Sequence, residues 1–204
     1  MPERSPGMAR IFALLLGLGI ALTALPGLAA EKLRVTPPAD WIESPPAGAP
    51  ARSAIDYLPP LSAPKTWRER ISVRLLPATE ETDPAEEAFK RLKAMAQACA
   101  DKLAAAKLIR THVSGRPGAM LLGACENTKP STDPATTATK ITLRAAVLVR
   151  GEAGLYVVQR DWGAEAKSIT YPMASDRTMQ AWLKPITEVT LCKENDTDLS
   201  CQPG

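Results

Sequence analysis

Three arginines alternate along one short stretch of the chain, TWRERISVRLL at Thr66–Leu76. Residues two apart in a strand share a face, so Arg68, Arg70 and Arg74 would stand in a row able to hold an anion or an anionic ligand. His112 is the single histidine. Its imidazole would serve such a ligand site as a fourth polar group. The competing reading is a solvated strand face whose charges guard an edge. Composition favours the second reading, because a formal charge of +3 on 204 residues is no basic footprint.

Four cysteines, Cys99, Cys125, Cys192 and Cys201, offer a different chemistry. A zinc site needs tight pairs such as CxxC, often with histidines, and here there are no tight pairs and one histidine. An even count in an exported chain points instead to disulfides. Four cysteines allow three pairings, and sequence does not choose strictly among them. Cys99–Cys125 with Cys192–Cys201 is the favoured set: the first ties a helix to a strand beneath it, the second closes a short polar tail.

A catalytic set is not apparent. A hydrolase of the serine or cysteine type needs a nucleophile, a base and a group that orients the base. The chain has one imidazole, no GxSxG, and cysteines that read as oxidised. The carboxylates Asp161 with Glu165, and Glu80 with Glu81, read as solvated surface rather than as a glycosidase pair. P-loop, GxGxxG, EF-hand and HExxH patterns are missing. The expectation is no catalytic residue, no cofactor and no metal, with an enzyme disfavoured.

The elements that would position these residues begin after a leader. Met1 to Ala29 has Arg4 and Arg10 ahead of an uncharged apolar run, Ile11–Ala24, followed by Pro26, Gly27 and small residues. That is the pattern of a secretory signal peptide cleaved after Ala29, and the run is short for a membrane span. No cysteine follows the cleavage point, so neither a lipidated nor a stable membrane anchor is expected. Cleavage removes Glu3 with the two arginines and leaves a formal charge of +2, which gives no reason to bind nucleic acid.

Residues 30–64 are rich in proline and read as an extended arm with edge pieces near Asp40–Ser44 and Ala54–Leu58. Thr66–Leu76 alternates as a half-buried strand. Glu69 falls on its apolar side, and if buried it needs a partner such as an arginine on a neighbouring strand. Asp83 to about Ala104 reads as the central helix, with Asp83 as cap, Pro84 in the first turn and Glu86 three residues after the cap. Its apolar stripe is Ala85, Phe89, Leu92, Ala96, Cys99 and Leu103. Lys107–Ser114 and Ala119–Asn127 read as strands around a GRPG turn, with a helix running on to about Arg110 as the alternative. Residues 128–140 form a polar loop. Ile141–Arg150 and Leu155–Trp162 read as central strands of a hairpin, the second ending in polar Gln159, Arg160 and Asp161. Ala174–Lys184, capped by Ser175 and stopped by Pro185, reads as a shorter helix, and Ile186–Cys192 as a short strand or extension.

TWRERISV, the helix carrying Cys99 and the following strand carrying Cys125 resemble uncharacterised small exported proteobacterial α+β proteins, over roughly Tyr57–Trp162. That resemblance implies no catalytic residues. The order of elements is also similar, more distantly, to PsbP/Mog1-type α/β/α sandwiches. Fold class and organisation follow: an α+β domain at 65–191 with an antiparallel sheet of about five strands. The long helix lies on one face, the shorter C-terminal helix packs near it, and a polar tail closed by its disulfide spans 192–204. The functional expectation is a non-catalytic periplasmic or secreted protein that binds a protein partner in the cell envelope. The alternatives are a ligand binder or enzyme using Arg68, Arg70, Arg74 and His112, and an inhibitor or immunity protein against a periplasmic toxin.

Overall fold

The structure, a computed structural model, describes residues 31–46, 54–60, 67–99, 103–128, 139–165, 172–193 and 201. The leader at 1–29 and the loop at 129–138 lie outside the described residues.

Nine strands and two helices are described: β1 (Lys32–Arg34), β2 (Ile42–Ser44), β3 (Ala54–Leu58), β4 (Trp67–Leu76), α1 (Pro84–Ala98), β5 (Leu103–Val113), β6 (Arg116–Thr128), β7 (Thr139–Arg150), β8 (Leu155–Glu165), α2 (Asp176–Thr187) and β9 (Thr190–Cys192). Seven of the strands form one antiparallel sheet in the order β2-β3-β4-β8-β7-β6-β5. The expected count was five. The proline-rich segment supplies the other two: β2, an edge strand that needs its ladder on one side only, and β3, whose five residues contain no proline. β1 and β9 pair with each other as a separate two-stranded sheet.

The expected hairpin strands β7 and β8 lie centrally and carry the core on both faces. Leu143, Ala145, Val147 and Val149 face one way with Tyr156, Val158 and Trp162, and Trp182 and Ile186 of α2 pack on them. Ala146, Leu148, Leu155 and Val157 face the other way and meet Ala85 and Ala88 of α1. The helices therefore cover opposite faces rather than packing near each other. A central strand buried on both sides needs a cover on each, and one 15-residue helix cannot wrap round the sheet.

α1 starts as its sequence dictates: Asp83 accepts from the Ala85 N–H at 2.9 Å, with Pro84 in the first turn. It ends at Ala98, six residues earlier than its composition suggests. Ala104–Lys107 are good helix formers, yet they form β5, because the β6 ladder outweighs a propensity difference of under about 1 kcal/mol per residue. The buried side of α1 is Pro84, Ala85, Ala88 and Met95, so the stripe is rotated from the expected one and Phe89 is 58% exposed. Gly123 of β6 leaves room for the Met95 side chain: a Cβ there would come within 2.7 Å of the Met95 sulfur and 3.2 Å of Leu92 Cδ1, so α1 seats Met95 on the sheet.

Three further expectations change. The turn before β6 is Ser114-Gly115, with φ of 50° and 75°, not GRPG; both residues take the left-handed conformation of a two-residue hairpin turn, and Pro117 and Gly118 belong to β6. Gln159, Arg160 and Asp161 do not end β8, which runs on to Glu165. Pro185 does not stop α2, which is capped by Ser175 as expected and continues to Thr187. The proline there removes one backbone bond, to the carbonyl of Ala181, a residue exposed to solvent.

Candidate functional site

The favoured cysteine pairing is present. Cys99 and Cys125 are bonded, Cα atoms 5.7 Å apart, and fasten the end of α1 to β6. Cys192 and Cys201 are bonded at 5.4 Å and tie the tail to β9. No free cysteine remains. Among the described residues no group of three or more His, Cys, Asp or Glu is placed to hold a metal ion. None of their helices is long and apolar enough to cross a membrane.

Glu69 is buried and has the arginine partner its position demands. Arg160, on β8, donates from Nε to the Glu69 carboxylate at 2.6 Å, and Trp182 Nε1 donates to the same oxygen at 2.7 Å. Arg160 also donates to the Trp182 carbonyl at 2.5 Å and lies 5.2 Å and 5.3 Å from the ring centres of Trp41 and Trp182. The pair's side chains are 3% and 2% exposed. Burial pushes the Glu69 carboxyl up, against the pull of Arg160. With both charged side chains buried and bonded to each other, this cluster ties β4, β8 and α2 together, and Arg160 stacks on the arm residue Trp41.

The arginine row lies on the opposite face of β4, in the half of the sheet that α1 leaves uncovered. Arg74 donates to Asp56 at 2.6 Å and to the Ile55 carbonyl at 2.9 Å. Arg144 of β7 donates to Asp161 at 2.6 Å. Arg70 lies between the two acids, 3.4 Å from Asp161 and 3.9 Å from Asp56, with its side chain 46% exposed. Arg68 stands opposite Gly163 in the β4–β8 ladder. His112 does not join them. It is on β5, with β8, β7 and β6 between it and β4. The row is thus part of an alternating lattice in which Asp56 and Asp161 already occupy Arg74 and Arg144.

The other open feature is the β5 edge, which among the described residues has no neighbour beyond it in the sheet. It is eleven residues long, and Ala104–Arg110 are all exposed. Leu108 and Ile109 are 37% and 41% exposed on opposite faces of the strand, and Phe89 of α1 shares a groove with Leu108. Ala85, Glu86, Phe89, Lys90, Leu108 and Arg110 line a groove between α1 and β5. Arg110 is pinned to the α1 cap by donation to Asp83 at 2.8 Å and 3.1 Å, which with the Ala85 N–H holds the Asp83 carboxyl below its ordinary range. Strand alternation also fixes which backbone groups are free. Val113 and Arg116 flank a two-residue turn and so face each other with their hydrogen-bonding groups, and every second pair beyond does the same. The N–H and C=O of Ala106, Leu108, Arg110 and His112 therefore point away from β6, out of the sheet.

Sequence reasoning missed this edge because LAAAKLIR carries both a helix propensity and a strand alternation. Adjacent apolar Leu108 and Ile109 were the available signal: in a strand they occupy opposite faces, and an edge strand partly exposes both.

No protein-family model matches the chain, and no curated protein matches it. Solved structures similar to it include LpqN, described as involved in cell envelope biogenesis of Mycobacterium tuberculosis, at 15% identity and a TM-score of 0.41, covering 80% of this chain and 84% of that one. The cyanobacterial PsbP of Synechocystis is similar at 10% identity and 0.42, covering 85% and 99%. A mutant of the protein Mog1 is similar at 14% identity and 0.45, covering 82% and 93%.

Proposed function

We propose that this chain is a non-catalytic accessory protein of the cell envelope that binds a protein partner by strand addition at β5. The observation that carries the reading is the uncovered eleven-residue edge with Phe89, Leu108 and Ile109 exposed beside it. Strand addition takes affinity from main-chain hydrogen bonds and specificity from side-chain grooves, and both are offered here. Two disulfides fit an oxidising compartment, and the leader at residues 1–29 would deliver the chain to the periplasm.

The test is a cross-linked pull-down of the processed protein from the periplasm, comparing wild type with Leu108→Pro. Proline at an outward-facing edge position removes one donor to a partner while leaving the β6 ladder in place. A reproducible neighbour lost in the variant, with unchanged melting, is the expected result. Equal recovery by both proteins would refute docking at this edge.

A second reading has one observation in its favour. Arg70 is half-exposed and loosely held between Asp56 and Asp161, as a ligand-binding arginine would be. Titration with inorganic phosphate should then shift the Arg70 side-chain resonances. No shift at millimolar concentration would remove this reading.

A further inference from the structure

The strand-addition reading names no partner, and the residues of β5 narrow it. Leu108 is the midpoint of Leu103–Val113, so an antiparallel register centred on Leu108 pairs the whole strand with a second copy of itself. Leu108 is also one of the positions whose backbone groups point outward, so two copies related by a twofold axis there would exchange hydrogen bonds at Leu108 and again where Ala106 meets Arg110.

The side chains agree with that register. Lys107 falls opposite Ile109 of the second copy, Arg110 opposite Ala106, and His112 opposite Ala104. No like charges stand directly opposite, an arrangement that would be destabilising. Centring the register one residue earlier would set Lys107 against Lys107. The remaining cost is a diagonal Lys107 pair, long and exposed, which salt screens. The groove beside Leu108 carries Glu86 with Lys90 and Arg110, and Arg110 is paired with Asp83, so acids balance bases on the approaching surface. Of the six large apolar side chains exposed among the described residues, Phe89, Leu108 and Ile109 are at this edge, and pairing gathers both sets around the axis.

We infer that β5 is a self-association edge, at which two copies of this chain join their seven-stranded sheets into one through antiparallel β5–β5 pairing centred on Leu108. This inference rests on the strand-addition reading and identifies its partner as the chain itself.

The experiment is sedimentation of the processed, oxidised protein over a concentration series, with opposite-charge substitutions at one exposed position. Ala106→Lys faces Arg110 of the second copy twice per dimer and should weaken association roughly tenfold, whereas Ala106→Glu should tighten it by a similar factor. Leu108→Cys, in which each copy meets its own equivalent, should form an intermolecular disulfide under mild oxidation, and Glu43→Cys on β2 should not. Equal effects of the two Ala106 variants, or a wild type monomeric at every concentration with no Leu108→Cys dimer, overturns self-pairing. A monomer that still loses a pulled-down neighbour on Leu108→Pro substitution overturns self-pairing alone. A monomer whose neighbour survives that substitution overturns strand addition as well.

Discussion

The two edges of the seven-stranded sheet are finished differently. At one end β2 is three residues long, enclosed by Pro37 and Pro38 before it and Pro45 and Pro46 after it. Its apolar pair, Ile42 opposite Leu58, has little backbone on either side with which another strand could align. At the other end β5 is eleven residues long, straight against β6 from Ala105 to Val113, with no proline and a run of small residues. Short strands and proline are how proteins blunt an edge. One edge is blunted and the other, among the described residues, is open, which is what the proposed strand addition at β5 requires.

The interiors of the two halves differ in the same sense. The β2 side is held by ion pairs: the buried Glu69–Arg160–Trp182 cluster on one face and the Asp56–Arg74–Arg70–Asp161–Arg144 lattice on the other. The β5 side is held by small-residue packing of α1 and by Cys99–Cys125. Breaking each half in turn separates their contributions. The largest effect is expected at Arg160. Arg160→Met leaves Glu69 buried without its counter-charge and should cost about 3–5 kcal/mol in urea unfolding, while adding Glu69→Leu should recover much of that loss. A loss below about 1 kcal/mol for the single variant would show that the cluster does not anchor this half.

Replacing Cys99 and Cys125 together by serine should cost about 2–4 kcal/mol, since the bond closes a loop of sequence separation 26. It should also speed amide exchange in β5 and the end of α1 before it affects β2 and β3. Uniform acceleration across the sheet would contradict two separately held halves.

At the open edge, Phe89→Ser should leave stability nearly unchanged, because the ring is 58% exposed, yet weaken association several-fold in sedimentation. A large drop in melting temperature would mean that Phe89 belongs to the core after all.

The smallest effect concerns acid. Donation from Arg110, and then the Ala85 N–H, lowers the Asp83 pKa in the folded state. A lowered carboxylate pKa stabilises the fold above the unfolded value, and that contribution is lost as pH falls through the lowered one. Asp83→Asn keeps the helix cap but should lose this acid-side dependence, as read from melting between neutral pH and about pH 3. An unchanged pH profile would show that Arg110 is not fixed to the start of α1, and the wall of the β5 groove would then be mobile.

Much of the fold was legible where local chemistry is decisive. The caps at Asp83 and Ser175, the β7–β8 hairpin and the arginine partner for Glu69 follow from residues near one another or from a single unpaired charge, and the cysteine pairing formed is the one favoured among three. What depends on distant pairing was not legible. β4 joins β8 across some ninety residues, which moves the arginine row away from His112 and beside Asp161, and no local pattern encodes that. Helix propensity at Ala104–Lys107 concealed the edge strand for the same reason: the β6 ladder that overrides it is a tertiary fact. Period alone places Phe89 in the core, whereas the room left by Gly123 is filled by Met95 from another strip of the helix.

The central claim is that β5, and not β2, is the occupied edge. The most direct measurement places a photo-activated cross-linker at residue 108 and, in a second protein, at residue 43, each expressed near native level in cells. The account predicts a reproducible adduct from 108, at the mass of a homodimer, and none from 43. No adduct from 108, or equal adducts from both edges, would contradict it.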